Sequence, residues 1–239
     1  FDLLETYGAD IVRYWAGSGK LGTDIVFNDE TFLRGKKLIN KIWNVSKFIE
    51  MHLADYEDKE FNDYEYIDKW IIAKYQEMEK SFKKYLDNYE IGLGLNTLEK
   101  FFWDFCDNYI EIVKHRLYRP EEFGDIARLS GQKTVYTLLY KLLQNFSIYF
   151  PFITEEIYTH LPTVEGSIVV AEFPHYNEAD NMAKEEEMMN LTMDGIRNIR
   201  NVRAEMNVPP SKKAKVIIVP TEEKKEAMVS GKDYFVTLA

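Results

Sequence analysis

Four residues of the stretch "KKLINKIWNVSKFIE", Lys36–Glu50, have the chemistry to hold a nucleic-acid base. Lys37, Lys41, Asn44 and Phe48 recur at the spacing of one helical face, one residue ahead of a second, apolar stripe of Leu38, Ile42, Val45 and Ile49. The apolar stripe is the ordinary signal for a face turned to a core. The other combines two cations, an amide and an aromatic ring. Unpaired bases are held by stacking on aromatic faces and by hydrogen bonds to their edges, while lysines neutralise the phosphates. A surface helix can match this pattern by chance, so the stripe alone fixes no ligand.

A second segment repeats the pattern. "TLEKFFWDFCDNYIEIVKHRLY" places Phe101, Phe102, Phe105, Tyr109, Ile112 and Val113 on one side, and Trp103, Asp107, Ile110 and Lys114 on another. A helix packed between two neighbours would show two stripes with no ligand at all. Lysine and aspartate inside the second stripe suit a groove open to solvent better than a second core contact.

Catalytic groups are hard to find. His52, His115, His160 and His175 are scattered, and none pairs with carboxylates at metal-ligand spacing. Cys106 is the only cysteine, which excludes an internal disulfide and a cysteine-built zinc site, and it falls on the apolar face of its helix. Glu155 and Glu156 read as helix-surface charges. The glycine-rich loop Gly17–Glu30 has no lysine followed by Ser or Thr after its second glycine, so it is not a phosphate cradle.

The elements that must position these stripes are mostly helical. A short helix to Tyr7 breaks at Gly8 and resumes to Ala16. Asn28 or Asp29 caps the first long helix. Further helices are expected over about Ile67–Leu86, Thr97–Tyr118 and Gly131–Tyr149, with Pro120 and Pro151 as stops, then over "PFITEEIYTHL" and Met182–Met206. "GSIVVAEFP" reads as a short extended segment, and the β-branched run Val216–Val219 as a strand. The expected fold is mainly α: a connector (1–28), an up-and-down helical bundle (29–180) and a small α/β appendix (181–239). The chain has 239 residues, 46% of them hydrophobic and 29% charged, enough for a sizeable core. Its net charge of −10 gives no overall attraction to nucleic acid, so any such contact needs a local patch. No run is long enough to span a membrane and no signal peptide is visible, which fits a reducing, cytoplasmic setting. The chain begins without methionine and ends in an apolar stretch, as expected of a piece of something longer.

"YGADIVRYWAGSGKLGTDIVF", "NKIWNVSKFI", "FFWDFCDNYIEIVKHRLY", "FPFITEEIYTHL" and "IRNIRNVRAEMNVPPSKKAKV" together resemble, in order, the C-terminal part of class I aminoacyl-tRNA synthetases. The valyl branch is the nearest in likeness and the isoleucyl branch the alternative. A helical interaction scaffold with no RNA role is the reading from outside the family. The resemblance implies an anticodon-binding bundle for a valine-accepting tRNA, in a monomer whose longer parent uses ATP and Mg²⁺ to join valine to that tRNA. It places the contact on Lys37, Lys41, Asn44 and Phe48 and, across a groove, on Asp107, Ile110, Glu111 and Lys114. Phe48 would stack on a base, Asn44 read a base edge and Lys41 meet phosphate. Ile110 would give apolar contact, and Asp107 and Glu111 would accept from base amino groups. Arg13 is expected to brace the junction of connector and bundle. Arg197, Arg200 and Arg203 are expected to pair with acidic residues rather than with RNA. The catalytic Lys-Met-Ser-Lys-Ser loop and His-Ile-Gly-His-type motif of such enzymes are not in this sequence, and no metal or other cofactor site is expected in it. The purified chain should therefore give no valine-dependent exchange of pyrophosphate into ATP; measurable exchange would overturn this reading.

Overall fold

Gly8 separates the first two helices, α1 (Asp2–Tyr7) and α2 (Ala9–Gly17). Its φ of 82° lies in the left-handed region that favours glycine, so the chain turns there as the sequence predicts. The computed structural model describes residues 2–25, 27–178, 182–209 and 212–238. Asn28 opens the first long helix, α3 (Asp29–Met51), by accepting from the Thr31 backbone N–H at 3.0 Å. That bond satisfies a donor which the first helical turn leaves free. Rings of Tyr7 and Trp15 stack on Phe32, with centroids 4.5 and 5.6 Å apart, and so seat α1 and α2 against α3.

Next come α4 (Tyr66–Asp87) and α5 (Ile91–Asp104). Helix α5 starts six residues before the expected Thr97 and takes in both glycines of "IGLGLN". A Cβ at Gly92 would stand 2.8 Å from the Gly19 carbonyl and 2.9 Å from that of Ser18, so glycine here allows a close approach of backbone rather than a break. A π turn, Phe105–Tyr109, joins α5 to α6 (Ile110–Tyr118). After the short α7 (Pro120–Phe123), α8 (Asp125–Phe146) begins six residues earlier than expected. Helix α9 (Pro151–Tyr158) follows with proline in its first turn. Asp10 accepts from the backbone N–H groups of Phe152 and Ile153, at 3.1 and 2.8 Å, at the start of α9. Arg13 donates to the Ile148 carbonyl at 2.8 Å. These bonds fasten α2 to the bundle.

Helix α8 is buried on nearly every side because α3, α4, α5, α6 and α9 all pack on it. Leu138, Leu139, Leu142, Leu143 and Phe146 share one core with Trp70, Phe82, Phe102, Phe105 and Tyr109. Each such side chain contributes about 1.5–3 kcal/mol by leaving water. Two polar clusters are sealed in this core. In the first, Asp68 of α4 accepts from Arg116 of α6 (Nη2–Oδ1 2.5 Å, Nη1–Oδ2 3.0 Å), from Tyr109 at 2.7 Å and from the Ser130 hydroxyl of α8. In the second, Oε2 of Glu79 accepts from Tyr75 at 2.6 Å and from Asn145 Nδ2 at 2.7 Å.

Three expectations are corrected. "GSIVVAEFP" is not extended throughout; Ile168–Val170 form a 3-10 turn capped by Ser167. Val216–Val219 do not form a strand. They are exposed and in no regular element, and a single β-branched run makes no ladder without a second edge to pair with. The described part of the expected α/β appendix is helical: α10 (Ala183–Glu205), α11 (Glu222–Ser230) and α12 (Lys232–Leu238). The boundary expected at residue 180 lies outside the described residues. Met189, Met193 and Ile196 of α10 belong to the bundle core, and Trp70 donates to Asn190 at 3.1 Å.

Glu79 carries a testable consequence. Its Oε1 is buried without a partner, as is Oδ1 of Asn145. Burial raises the Glu79 pKa above the ordinary carboxylate value, against the opposing hydrogen bonds from Tyr75 and Asn145. The folded state therefore favours the protonated acid. The stability this contributes is present below the unfolded pKa and is lost as pH rises through the folded one. Glu79→Gln cannot ionise, so it should be more stable than wild type at about pH 8, by about 1–3 kcal/mol. The gap should narrow towards about pH 4.5. Thermal melting across that range checks this, and a pH-independent gap would refute it.

Candidate nucleic-acid interface

Helices α3 and α6 both pack on α8, and between them lies a cleft of about 660 Å³. Lys41, Asn44, Val45 and Phe48 form its α3 wall, and Ile110, Glu111, Lys114, His115 and Tyr118 its α6 wall. Cys106 contributes from the π turn and Arg119 from just beyond α6. Six of the residues singled out from sequence thus meet in one place: Lys41, Asn44, Phe48, Ile110, Glu111 and Lys114. Asp107 sits at the edge and bonds to Lys41. Lys37 is exposed on α3 and does not line the cleft.

Carboxylates hold two of the cleft's cations. Lys41 Nζ donates to Asp107 Oδ1 at 3.0 Å and lies 5.5 Å from the centre of the Trp103 ring. Desolvation is the largest single effect and opposes the charge on Lys41, but the Asp107 hydrogen bond and the neighbouring negative groups, Asp107 and Glu111 among them, together outweigh it, so the pKa is raised and this lysine stays protonated. Lys114 donates to Glu111. Beyond them Arg119 reaches Glu122 at 2.9 Å and His115 Nδ1 at 3.0 Å. All these pairs are at least partly exposed, so they are held weakly and can exchange partners. Three rings close the far end. Phe48 is 5.9 Å from Tyr118, and His52 lies against both, at 4.8 and 4.5 Å. Phe48 is half-buried and Tyr118 exposed. The arrangement offers apolar faces, amide and carboxylate edges and exchangeable cations within one groove.

Sequence reasoning missed His115, Tyr118, Arg119 and His52. A signal for Tyr118 existed, since Ile110, Lys114 and Tyr118 continue the second stripe at four-residue steps. Arg197 and Arg203 have partners elsewhere. Arg197 pairs with Asp194 on its own helix at 2.7 Å, and Arg203 donates to the carbonyls of Pro209 and Lys212. A second cavity, about 250 Å³, lies between the loop after α2 and the α4–α5 junction, lined by Ser18, Lys20, Asn88 and Asn96 among others. Among the described residues no three His, Cys, Asp or Glu side chains come together to hold a metal ion. No described helix is long and apolar enough to cross a membrane.

The family model for the anticodon-binding domain of tRNA ligases matches residues 68–218. The chain belongs to this family. Over its whole length it is 40% identical to a valine--tRNA ligase of Clostridium perfringens and 37% identical to one of Clostridium acetobutylicum, covering 27% of each. A valine--tRNA ligase of Wolbachia pipientis is 35% identical over 95% of the chain. The chain thus spans about a quarter of the length of the curated relatives it matches. Among solved structures, the leucyl enzyme of Agrobacterium radiobacter K84, in a ternary complex with tRNA and LeuAMS, aligns with a TM-score of 0.55. It is 13% identical and covers 76% of this chain and 22% of its own, a likeness of fold. The helical core agrees with membership of the anticodon-binding family.

Cys106 tests the depth of that groove. It is buried beside Phe105 and Tyr109, and burial pushes its thiol well above the usual range. Native protein should react with a thiol reagent at least about a hundredfold more slowly than unfolded protein, because only the thiolate is nucleophilic and a buried thiol is shielded. Fast labelling of the folded chain would mean that the π turn opens into the cleft.

Proposed function

We propose that this chain is the anticodon-arm-binding part of a valine--tRNA ligase. The longer protein would join valine to its tRNA with ATP and Mg²⁺, acting in the cytoplasm as a monomer, with the reaction centre elsewhere in that protein. The single observation that carries the reading is the cleft between α3 and α6. Its aromatic, amide and cationic residues are the types that hold unpaired bases and their phosphates, and they come from two helices far apart in sequence. The relatives support valine over isoleucine as the amino acid.

The groups have separate tasks in this reading. Phe48 stacks on a base. Asn44 presents an amide to a base edge. Lys41 and Lys114 leave Asp107 and Glu111 for phosphate, and the freed carboxylates become acceptors for base amino groups. A synthetase that binds its tRNA at a remote loop gains discrimination there without altering the reaction itself.

Phe48→Ala should weaken binding of a valine-accepting tRNA by about one to two powers of ten, since an aromatic platform contributes about 1–3 kcal/mol per stacked base. Lys41→Ala should cost less, depend little on anticodon sequence, and lose its effect as salt rises. Binding titrations beside thermal melts, with wild-type and anticodon-swapped tRNA, check both. A Phe48→Ala variant that melts lower yet binds tRNA as wild type does would make the ring a packing residue and remove the RNA reading of the cleft.

A further inference from the structure

His52 stands behind the cleft with a nitrogen that the fold leaves unused. It follows the last residue of α3, where its backbone N–H bonds to the Ile49 carbonyl at 2.9 Å. The side chain is only 8% exposed, and its Nε2 is buried without a hydrogen-bond partner. Buried polar atoms are nearly always paired, so each exception calls for a reason. The ring meets Tyr118 edge-on, at 4.5 Å and 86°, and Phe48 at 4.8 Å and 62°. Those are the two aromatic rings that line the cleft.

The chemistry of the imidazole is set by its surroundings. Burial, and the charge of Arg128, hold its pKa below the ordinary histidine value, with Asp55 opposing. Arg128 is itself paired with Asp55 at 2.6 Å, and Gln132 donates to the His52 carbonyl at 2.7 Å. At neutral pH the ring is therefore uncharged, with one nitrogen a donor and the other an acceptor. That is the pattern of a nucleobase edge rather than of a phosphate partner. Tyr118, which lies over it, is 57% exposed. It is the last residue of α6, and Arg119 leaves helical geometry before Pro120. Its exposure at a helix end leaves the ring room to turn.

We propose that His52 is a base-reading residue of the cleft. A base that stacks on Phe48 displaces the Tyr118 ring from its edge-on seat, Tyr118 closes on the opposite face of the base, and the neutral imidazole hydrogen-bonds to the edge of the same base. The proposal rests on the RNA reading of the cleft and adds to it a specificity group that neither helical stripe contains.

The test uses the whole chain and synthetic anticodon stem-loops, one with a valine anticodon and others with each anticodon base replaced in turn. His52→Phe keeps an aromatic ring but no nitrogen. It should melt near the wild-type temperature and bind as wild type does only the loop in which the base read by His52 is replaced. It should lose about tenfold in affinity for the valine loop, the effect of one hydrogen bond to a base, so that discrimination disappears at one anticodon position only. His52→Gln, with a donor and an acceptor, should recover part of that discrimination. If His52→Phe keeps wild-type discrimination, or weakens every loop equally, His52 is a packing residue and the proposal is overturned. If the wild type binds none of the loops, the anticodon reading itself fails, and this proposal with it.

Discussion

The bond between Asp68 and Arg116 sets the geometry on which the cleft depends. Asp68 lies on α4, Arg116 on α6, and the Ser130 hydroxyl that also donates to Asp68 lies on α8. Tyr109, in the π turn, is the third residue to donate to it. Three helices and the turn are thus pinned at one buried carboxylate. Taking two charges out of water costs several kcal/mol per ion, and the attraction between them offsets this only with good geometry and full hydrogen bonding. Losing either partner would leave the other charge stranded, at a cost of about 3–5 kcal/mol. The pair therefore adds less to stability than to registry. Only one rotation of α6 puts Arg116 on Asp68, and that rotation turns Ile110, Lys114 and Tyr118 towards α3. Arg116 and the cleft residue His115 are neighbours in sequence on opposite duties, one inward and one outward.

A chain with net charge −10 has no long-range attraction for a polyanion, so on the proposed reading the cleft would act at close quarters. Its lysines are not bare. Asp107 holds Lys41 and Glu111 holds Lys114, and each ion pair is partly open to water. Such pairs are worth little individually, so a phosphate can replace a carboxylate at small cost. On that reading the acidic partners would keep the free surface from attracting any passing polyanion and leave discrimination to shape and edge contacts.

Much of this was legible in the sequence, for identifiable reasons. The apolar stripe Leu38, Ile42, Val45 and Ile49 is buried as its spacing predicts, Asn28 caps α3, and Pro120 and Pro151 fall at helix boundaries. Periodicity and capping are local signals, and local physics decides those features. Pairing across helices is not local. Nothing in the sequence says that Lys41 meets Asp107, 66 residues on, or that His52 packs under Tyr118. Helix α5 starts earlier than the sequence predicts, because Gly92 serves a close backbone contact that only tertiary structure reveals. Val216–Val219 have strand propensity, but β propensity acts only when a neighbouring edge is available.

The sequence predicts a separate appendix from residue 181, yet the packing of its described helices does not set it apart. Helix α10 lies along α4 and gives Met189, Met193 and Ile196 to the common core. Helix α12 packs on α6, and Tyr234 from it, packed on the same core, is close enough to Asp68 and Arg116 to feel both charges. The family match likewise runs from residue 68 to residue 218, across the expected boundary. Residues assigned by composition to an appendix are therefore part of the support for α6. Composition marks where a chain changes its local preference. It is the burial of a continuous apolar surface that marks where a folding unit ends, and on that criterion the α6 wall of the cleft is held from behind by the last described helix of the chain.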